Sequence, residues 1–149
     1  MAARFLADEA ATLAFGGALA EKLEPGMVIY LSGDLGAGKT TLARGILRGL
    51  GFTGRVKSPT FALVEAYKLS KLYLYHFDFY RFDQPTEFAA SGLAEYFQPD
   101  AVCLVEWPEK AAGLPPADLR LSIAVSGSGR CVDIDAETEA GRRCLGGLH

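Results

Sequence analysis

A glycine-rich segment between an apolar run and an amphipathic stretch limits what this chain can fold into. Residues 33–40 read Gly-Asp-Leu-Gly-Ala-Gly-Lys-Thr and match the pattern G-x-x-x-x-G-K-[ST] at every required position. Residues 27–31 form a short apolar run, typical of a strand buried on both faces of a sheet. Residues 41–50 carry their apolar side chains on one helical face. The order of strand, loop and helix predicts backbone N–H groups that converge on a phosphate.

The loop predicts a binding site for a nucleoside triphosphate with magnesium. Lys39 would place its ammonium beside the β- and γ-phosphates and offset the charge that gathers there during transfer. Thr40 would give its hydroxyl to Mg²⁺, and Thr41 would reach the α-phosphate side. The nucleotide-binding residues predicted from the loop are Gly33, Asp34, Leu35, Gly36, Ala37, Gly38, Lys39, Thr40 and Thr41.

Two acidic residues are candidates for the chemistry. Glu106 follows the apolar run 101–105, so we expect it at the carboxyl end of a buried strand, facing the magnesium if that strand lies beside 27–31. A plain solvated strand end is the alternative. Asp78 lies just beyond the second strand of a predicted hairpin. It has two possible roles, orienting the attacking water or holding Mg²⁺ through a water.

Other residues near these motifs have open interpretations. Arg81 is compatible with stabilising transition-state charge or with a surface ion pair. Ser58-Pro59-Thr60 is either a switch-like sensor of magnesium and γ-phosphate or a turn that leads into a strand. His76 is interpreted as structural, because alternation places it on one strand face with Leu72 and Leu74. Trp107 is either a core residue or an anchor for a partner.

Length, charge and cysteine content exclude several classes of protein. The chain has 149 residues, half of them hydrophobic, and we expect residues 1–149 to form a single domain. A net charge of −3 argues against direct binding of DNA or other bare nucleic acid. Three cysteines without a C-x-x-C pair fit neither a disulfide framework nor a zinc site. The cysteines are interpreted as reduced thiols of a cytoplasmic protein. No apolar run approaches the length of a membrane span, so we expect a soluble protein without membrane contact.

The remaining pattern completes an α/β prediction. Residues 10–23 predict an amphipathic helix, and 61–68 with 72–77 predict an antiparallel hairpin. A second hairpin is expected from 119–125 and 131–134. Residues 85–92 and 137–145 favour helices, whereas 93–97 is ambiguous. The predicted fold class is a P-loop NTPase-like three-layer α/β/α arrangement, with a mixed, mostly parallel central sheet plus antiparallel hairpins.

Several ordered motifs together resemble a known family. From about residue 8 to residue 130 the chain is similar to the bacterial tRNA threonylcarbamoyladenosine-biosynthesis ATPases of the TsaE family, also called YjeE. The motifs are the loop at 33–41, Lys-Ser-Pro-Thr-Phe at 57–61, Leu-Val-Glu at 63–65, His-Phe-Asp-Phe-Tyr-Arg at 76–81 and Leu-Val-Glu-Trp at 104–107. After the Asp78 motif, the acid-rich segment typical of the family is replaced by Gln-Pro-Thr-Glu-Phe-Ala at 84–89, with fewer charges for docking a partner.

The resemblance implies a Mg²⁺-dependent ATPase, a P-loop hydrolase partnered with the TsaB and TsaD proteins. Together these proteins modify adenosine 37 of tRNA, and ATP hydrolysis would reset or drive the TsaB–TsaD heterodimer, so that contact with tRNA is indirect. It implies magnesium ligands at Thr40 and Glu106, and catalytic roles for Lys39, Asp78 and Glu106. It also implies that Glu9 and Arg130 lie near the nucleotide.

Three rival functions share the phosphate loop. A GTP-binding switch usually selects guanine through Asn-Lys-x-Asp, and this chain contains no asparagine. A small-molecule kinase would need a second substrate pocket and an arginine-rich lid, and no lid-like stretch lies between the first hairpin and Val105. A nucleotide-gated binding module would bind ATP but turn it over too slowly for hydrolysis to matter.

Overall fold

The fold is built on one seven-stranded sheet with helices between its strands. The computed structural model describes residues 2–148. Two short 3-10 helices, Leu93–Tyr96 and Pro108–Lys110, lie before and after the strand Ala101–Glu106. The strands and helices follow in the order β1 (Ala2–Leu6), α1 (Glu9–Ala20), β2 (Val28–Ser32), α2 (Lys39–Gly49), β3 (Val64–Lys68), β4 (Tyr73–Asp78), α3 (Glu87–Ser91), β5 (Ala101–Glu106), β6 (Leu119–Ser126), β7 (Gly129–Ala136) and α4 (Glu139–Gly146).

Four parallel strands form the middle of the sheet. The spatial order is β1-β7-β6-β2-β5-β4-β3, in which β6, β2, β5 and β4 pair in parallel. On the outer sides, β7 and β1 on one edge and β3 on the other pair antiparallel. The mixed sheet and both predicted hairpins are therefore confirmed. Because parallel strands end on the same side, the carboxyl ends of the four central strands form one edge where a ligand can bind.

The two faces of the sheet are covered by different layers. On one face α1 and α2 pack over aliphatic side chains, among them Ile29 and Leu104. On the other face α3 and neighbouring segments enclose an aromatic cluster that includes Phe77, Phe79 and Phe88. The predicted three-layer arrangement is confirmed. No helix within residues 2–148 combines the length and apolarity that a membrane span requires.

Some element boundaries differ from the sequence prediction. Helix α1 ends at Ala20 rather than at residue 23, and α2 begins at Lys39 rather than at residue 41. The ambiguous stretch 93–97 contains a 3-10 helix. Strand β1 was not predicted. Within residues 2–148 it lies at the edge of the sheet and pairs with β7 alone, and such a short segment becomes a strand through a partner that is distant in sequence.

Glycines allow α1 and α2 to cross closely. A Cβ at Gly16 would lie 2.8 Å from the backbone N of Ile46 and 2.8 Å from the backbone O of Leu42. A Cβ at Gly45 would lie 2.6 Å from the backbone O of Leu13. Backbone atoms cannot move aside as side-chain ends can, so the two helix backbones can come this close only at positions that lack a side chain. This contact holds α2, and with it the phosphate loop, against the rest of the helical layer.

We expect Gly16→Ala to destabilise the protein by about 1–3 kcal/mol, because the new methyl group would push α1 away from α2. The adjacent Gly17 is the matched control, since a Cβ there meets nothing within 4 Å. Gly17→Ala should be neutral or stabilising by up to about 1 kcal/mol through improved helix propensity. Chemical denaturation of the two variants checks this, and equal stabilities would contradict the close crossing.

Candidate active site

The phosphate loop connects β2 to α2 through glycines in conformations that other residues rarely adopt. Gly33 has φ 154°, and a Cβ there would lie 2.4 Å from the backbone O of Ile123. Gly38 has φ 110° and is the N-cap of α2. Lys39 is then the first residue of the helix. The first N–H groups of α2 therefore follow directly after the loop. The N-terminus of a helix is a favourable position for a bound anion.

Lys39 is held inside the site. Its side chain is largely buried, its Nζ donates a hydrogen bond to the backbone O of Gly33, and the ring of Trp107 lies 4.0 Å from Nζ. Burial lowers the pKa of the Lys39 ammonium, while the nearby carboxylates of Glu106 and Asp78 act in the opposite direction. The structure thus places a partly desolvated ammonium group beside the phosphate loop. Its electrostatic attraction for a phosphate is stronger there than it would be in bulk water.

The two predicted acids end neighbouring parallel strands. Asp78 is the last residue of β4, Glu106 is the last residue of β5, and the two stand side by side in the register. Strand β5 also pairs with β2, the strand that leads into the phosphate loop. This is the strand order expected if the Glu106 carboxylate faces that loop. Both carboxylates are buried, at 5% and 3% exposure. A solvated strand end does not describe Glu106, although its catalytic role stays a prediction.

A cleft of about 370 Å³ joins the loop to these acids. Its lining brings together most of the residues predicted from the sequence. These include Leu35, Gly36, Gly38, Lys39, Thr40, Thr41, Asp78, Glu106 and Arg130, together with Ser58, Thr60 and Trp107. The described residues contain no group of three or more His, Cys, Asp or Glu side chains that would hold a metal ion by itself.

Asp78 is fixed by hydrogen bonds to both of its oxygens. Oδ2 accepts a hydrogen bond from the Thr60 hydroxyl at 3.1 Å, and Oδ1 accepts one from the backbone N of Tyr80 at 2.9 Å. The hydroxyls of Ser58 and Thr60 are 2.8 Å apart. The segment before β3 is therefore tied to the end of β4 through the same carboxylate that faces the cleft. This linkage is compatible with the switch-like interpretation of Thr60.

Arg130 contacts the backbone of the phosphate loop. Its Nε donates to the backbone O of Ala37 at 2.8 Å, and its Nη2 donates to the backbone O of Gly36 at 3.4 Å. The resemblance implied only that Arg130 lies near the nucleotide. In the structure its guanidinium binds two carbonyls of the loop and so supports the conformation of that loop.

A second cleft of about 270 Å³ adjoins the first one. It shares Gly38, Thr41 and Arg130 with the first cleft and extends to Glu9, at the start of α1. Glu9 is exposed, and its carboxylate lies 3.9 Å from Nη1 of Arg44. The remaining lining consists of Asp8, Thr12, Ser128 and Gly129, which were not predicted. The glycine-serine turn at 126–129 was a sequence signal for a loop, but it did not indicate where the loop lies.

Two residues with open interpretations have definite contacts. Trp107 follows β5 in the left-handed region at φ 58°, is partly buried, and packs against Tyr80 with ring centroids 5.0 Å apart. Its ring also covers Lys39, so it belongs to the site. Arg81 is exposed, and its guanidinium lies 4.7 Å from the ring centroid of Phe61. Phe61 is itself 81% exposed, so this pair lies at the surface.

Comparison with known proteins places the chain in a family. The sequence profile described as "Threonylcarbamoyl adenosine biosynthesis protein TsaE" matches residues 6–132. A protein of Haemophilus influenzae named tRNA threonylcarbamoyladenosine biosynthesis protein TsaE is 43% identical over 95% of this chain and 94% of its own length. The protein of the same name from Synechocystis is 45% identical over 74% of this chain and 73% of its own length.

A solved structure supports the same relationship. The crystal structure of YdiB from Bacillus subtilis superimposes with a TM-score of 0.83 and 33% sequence identity, over 97% of this chain and 91% of that chain. The agreement therefore extends across the sheet and the helices as well as the motifs. The chain belongs to the TsaE family of tRNA threonylcarbamoyladenosine biosynthesis proteins.

Proposed function

We propose that this chain binds ATP with Mg²⁺ and hydrolyses it as the ATPase component of bacterial tRNA threonylcarbamoyladenosine biosynthesis, acting with TsaB and TsaD. One observation carries the proposal. Lys39, Asp78 and Glu106 line a single cleft beside the phosphate loop, at the carboxyl ends of parallel strands. These are the charges that phosphoryl transfer requires, a cation for the phosphates and acids for water and metal.

Different residues would bind the phosphates, support the loop and orient the attacking water. The N–H groups of the loop and of the first turn of α2 surround the phosphates, and Lys39 offsets the charge on the β- and γ-phosphates. Arg130 preserves the shape of the loop by binding the carbonyls of Gly36 and Ala37. Asp78, whose carboxylate is already held by Thr60 and Tyr80, orients the attacking water.

Magnesium fits the donor set of the cleft. Thr40 and Glu106 both line it, and they supply the hard oxygen donors that Mg²⁺ prefers. In nucleotide sites, one or two protein oxygens hold this ion together with phosphates and waters, so a larger cluster of acids is not needed. Thr40 and Glu106 would hold the ion. The charge of a bound Mg²⁺ would help to neutralise the negative charge that develops on the phosphates during transfer.

The second cleft is the candidate site for the nucleoside. It continues from Thr41, on the α-phosphate side, toward Glu9 and the turn before β7. A triphosphate in the first cleft would therefore direct its ribose and base into the second. This supports the assignment of Glu9 and Arg130 to the nucleotide site, with Glu9 reaching the nucleoside and Arg130 acting mainly on the loop.

Family membership supports the biological role. The relatives are named for tRNA threonylcarbamoyladenosine biosynthesis. A net charge of −3 fits a component that acts through TsaB and TsaD and meets tRNA only indirectly. We also propose that residues 1–149 form one domain, since one sheet includes strands from both ends of the described chain, and that the protein works in the cytoplasm.

Reconstitution of the tRNA modification tests the proposal. Purified TsaB, TsaD and substrate tRNA are supplied with ATP and with the threonylcarbamoyl donor, with and without this chain. We expect multiple-turnover formation of modified tRNA only when the chain is present, because ATP hydrolysis would reset the assembly after each round. Modified nucleoside is measured by mass spectrometry, and phosphate release is measured in parallel.

The Lys39→Ala variant is the matched control for nucleotide dependence. Modified tRNA that accumulates equally well without the chain would overturn the pathway assignment. Equal product with the Lys39→Ala variant would instead indicate that the partners need the protein but not its ATP. ATP consumption that appears only with a small phosphate acceptor would favour the kinase alternative.

A further inference from the structure

A histidine that the proposed chemistry does not use is buried against Glu106. His76 lies in β4 and is 0% exposed, and its Nε2 is 2.5 Å from Oε2 of Glu106 on the neighbouring strand. The register places His76 opposite Leu104, two residues before Glu106, on the face that α2 covers. This polar contact therefore lies between an aliphatic layer and the cleft.

We infer that His76 is a positioning residue that holds the Glu106 carboxylate in the orientation the metal site requires. The inference rests on the proposed role of Glu106 as a magnesium ligand. One oxygen of Glu106 is engaged by His76, while the residue also lines the cleft beside Lys39 and Thr40. A glutamate at a strand end has three rotatable bonds, and a hydrogen bond from a buried ring removes much of that freedom.

The chemistry of the two groups determines the direction of the hydrogen bond. An ionised carboxylate can only accept, so Nε2 of His76 must donate. Nδ1 of His76 is buried and has no hydrogen-bond partner within the described part of the chain. An N–H at Nδ1 would be an unsatisfied buried donor, whereas a bare lone pair is tolerated more easily. Both observations indicate the tautomer that carries its hydrogen on Nε2.

The arrangement resembles the outer shell of other metal sites. There, a partner that hydrogen-bonds a ligating side chain fixes the orientation of that ligand, and loss of the partner typically costs about 10- to 100-fold in metal affinity or activity. A histidine that only fills space would behave differently. An apolar side chain of similar size would then replace His76 without effect on metal binding.

Two substitutions separate these possibilities. His76→Leu keeps an apolar volume but removes the donor, whereas His76→Gln presents an amide N–H near the position of Nε2. Binding of Mn²⁺, a spectroscopic substitute for Mg²⁺, is measured by electron paramagnetic resonance in the presence of a nonhydrolysable ATP analogue. We expect His76→Leu to weaken Mn²⁺ binding by about 10- to 100-fold. His76→Gln should bind Mn²⁺ almost as tightly as the wild-type protein.

Nuclear magnetic resonance of the unliganded wild-type protein tests the contact without any variant. The chain has two histidines, so ¹⁵N-labelled histidine gives a simple spectrum. We expect the Nε2–H tautomer at His76 and a shift of its signals in Glu106→Gln. An Nδ1–H tautomer would overturn the inference, and this measurement decides it if His76→Leu does not fold.

The Glu106→Gln variant distinguishes failure of the inference from failure of the proposed function. Wild-type Mn²⁺ affinity in His76→Leu, together with weakened affinity in Glu106→Gln, would show that His76 positions nothing while Glu106 still serves the metal. Unchanged affinity in Glu106→Gln would remove Glu106 from the metal site, and the positioning role would fall with it.

Discussion

Lys39→Ala should weaken ATP binding by about 100-fold or more, because charge-assisted hydrogen bonds contribute about 1.5–3 kcal/mol each and Lys39 would make more than one. The side chain is buried between the backbone of Gly33 and the ring of Trp107. Its cation is thus already desolvated, and binding a phosphate would relieve that cost. Titration calorimetry with a nonhydrolysable ATP analogue and Mg²⁺ measures the effect.

Lys71→Ala is the matched control for this loss. Lys71 lies in the turn between β3 and β4, at the opposite end of β4 from Asp78, so the same change in charge occurs away from the cleft. We expect this variant to bind the analogue as the wild-type protein does. Tight binding by Lys39→Ala would show that the loop does not hold the triphosphate as proposed.

Loss of either carboxylate should reduce turnover far more than binding. Asp78→Asn and Glu106→Gln keep the size of each side chain but remove its charge. We expect ATP hydrolysis to fall by about 100- to 1,000-fold in each variant, because Asp78 would orient the attacking water and Glu106 would hold the metal that offsets charge in the transition state. The affinity for ATP should change much less, because Lys39 and the loop amides remain. Phosphate release and calorimetry together check this separation.

Asp83→Asn is the control for the acids. Asp83 is exposed and follows the Asp78 motif by a few residues, so it tests a change in local charge without a contribution to the cleft. Normal ATPase rates in both Asp78→Asn and Glu106→Gln would exclude the proposed chemistry. A loss confined to Glu106→Gln would retain the metal ligand and remove Asp78 from the mechanism.

Most of the fold was predictable because its signals are local. The apolar run before Gly33, the amphipathic helix after it and the two hairpins each depend on residues close together in the chain. The prediction failed at β1, where pairing with the distant strand β7 determines the conformation. It also placed the start of α2 two residues too late, because a phosphate loop leads directly into its helix without a polar N-cap side chain.

Residue patterns along the chain were enough to predict the phosphate loop, the strand before it, and the positions of Asp78 and Glu106 at strand ends. The contacts of Arg130 with the loop backbone and of His76 with Glu106 could be seen only in the folded molecule. These contacts join residues 93 and 30 positions apart. Periodicity and motif spacing describe each segment separately, whereas such contacts depend on strand order and register, which are settled only when the whole sheet packs.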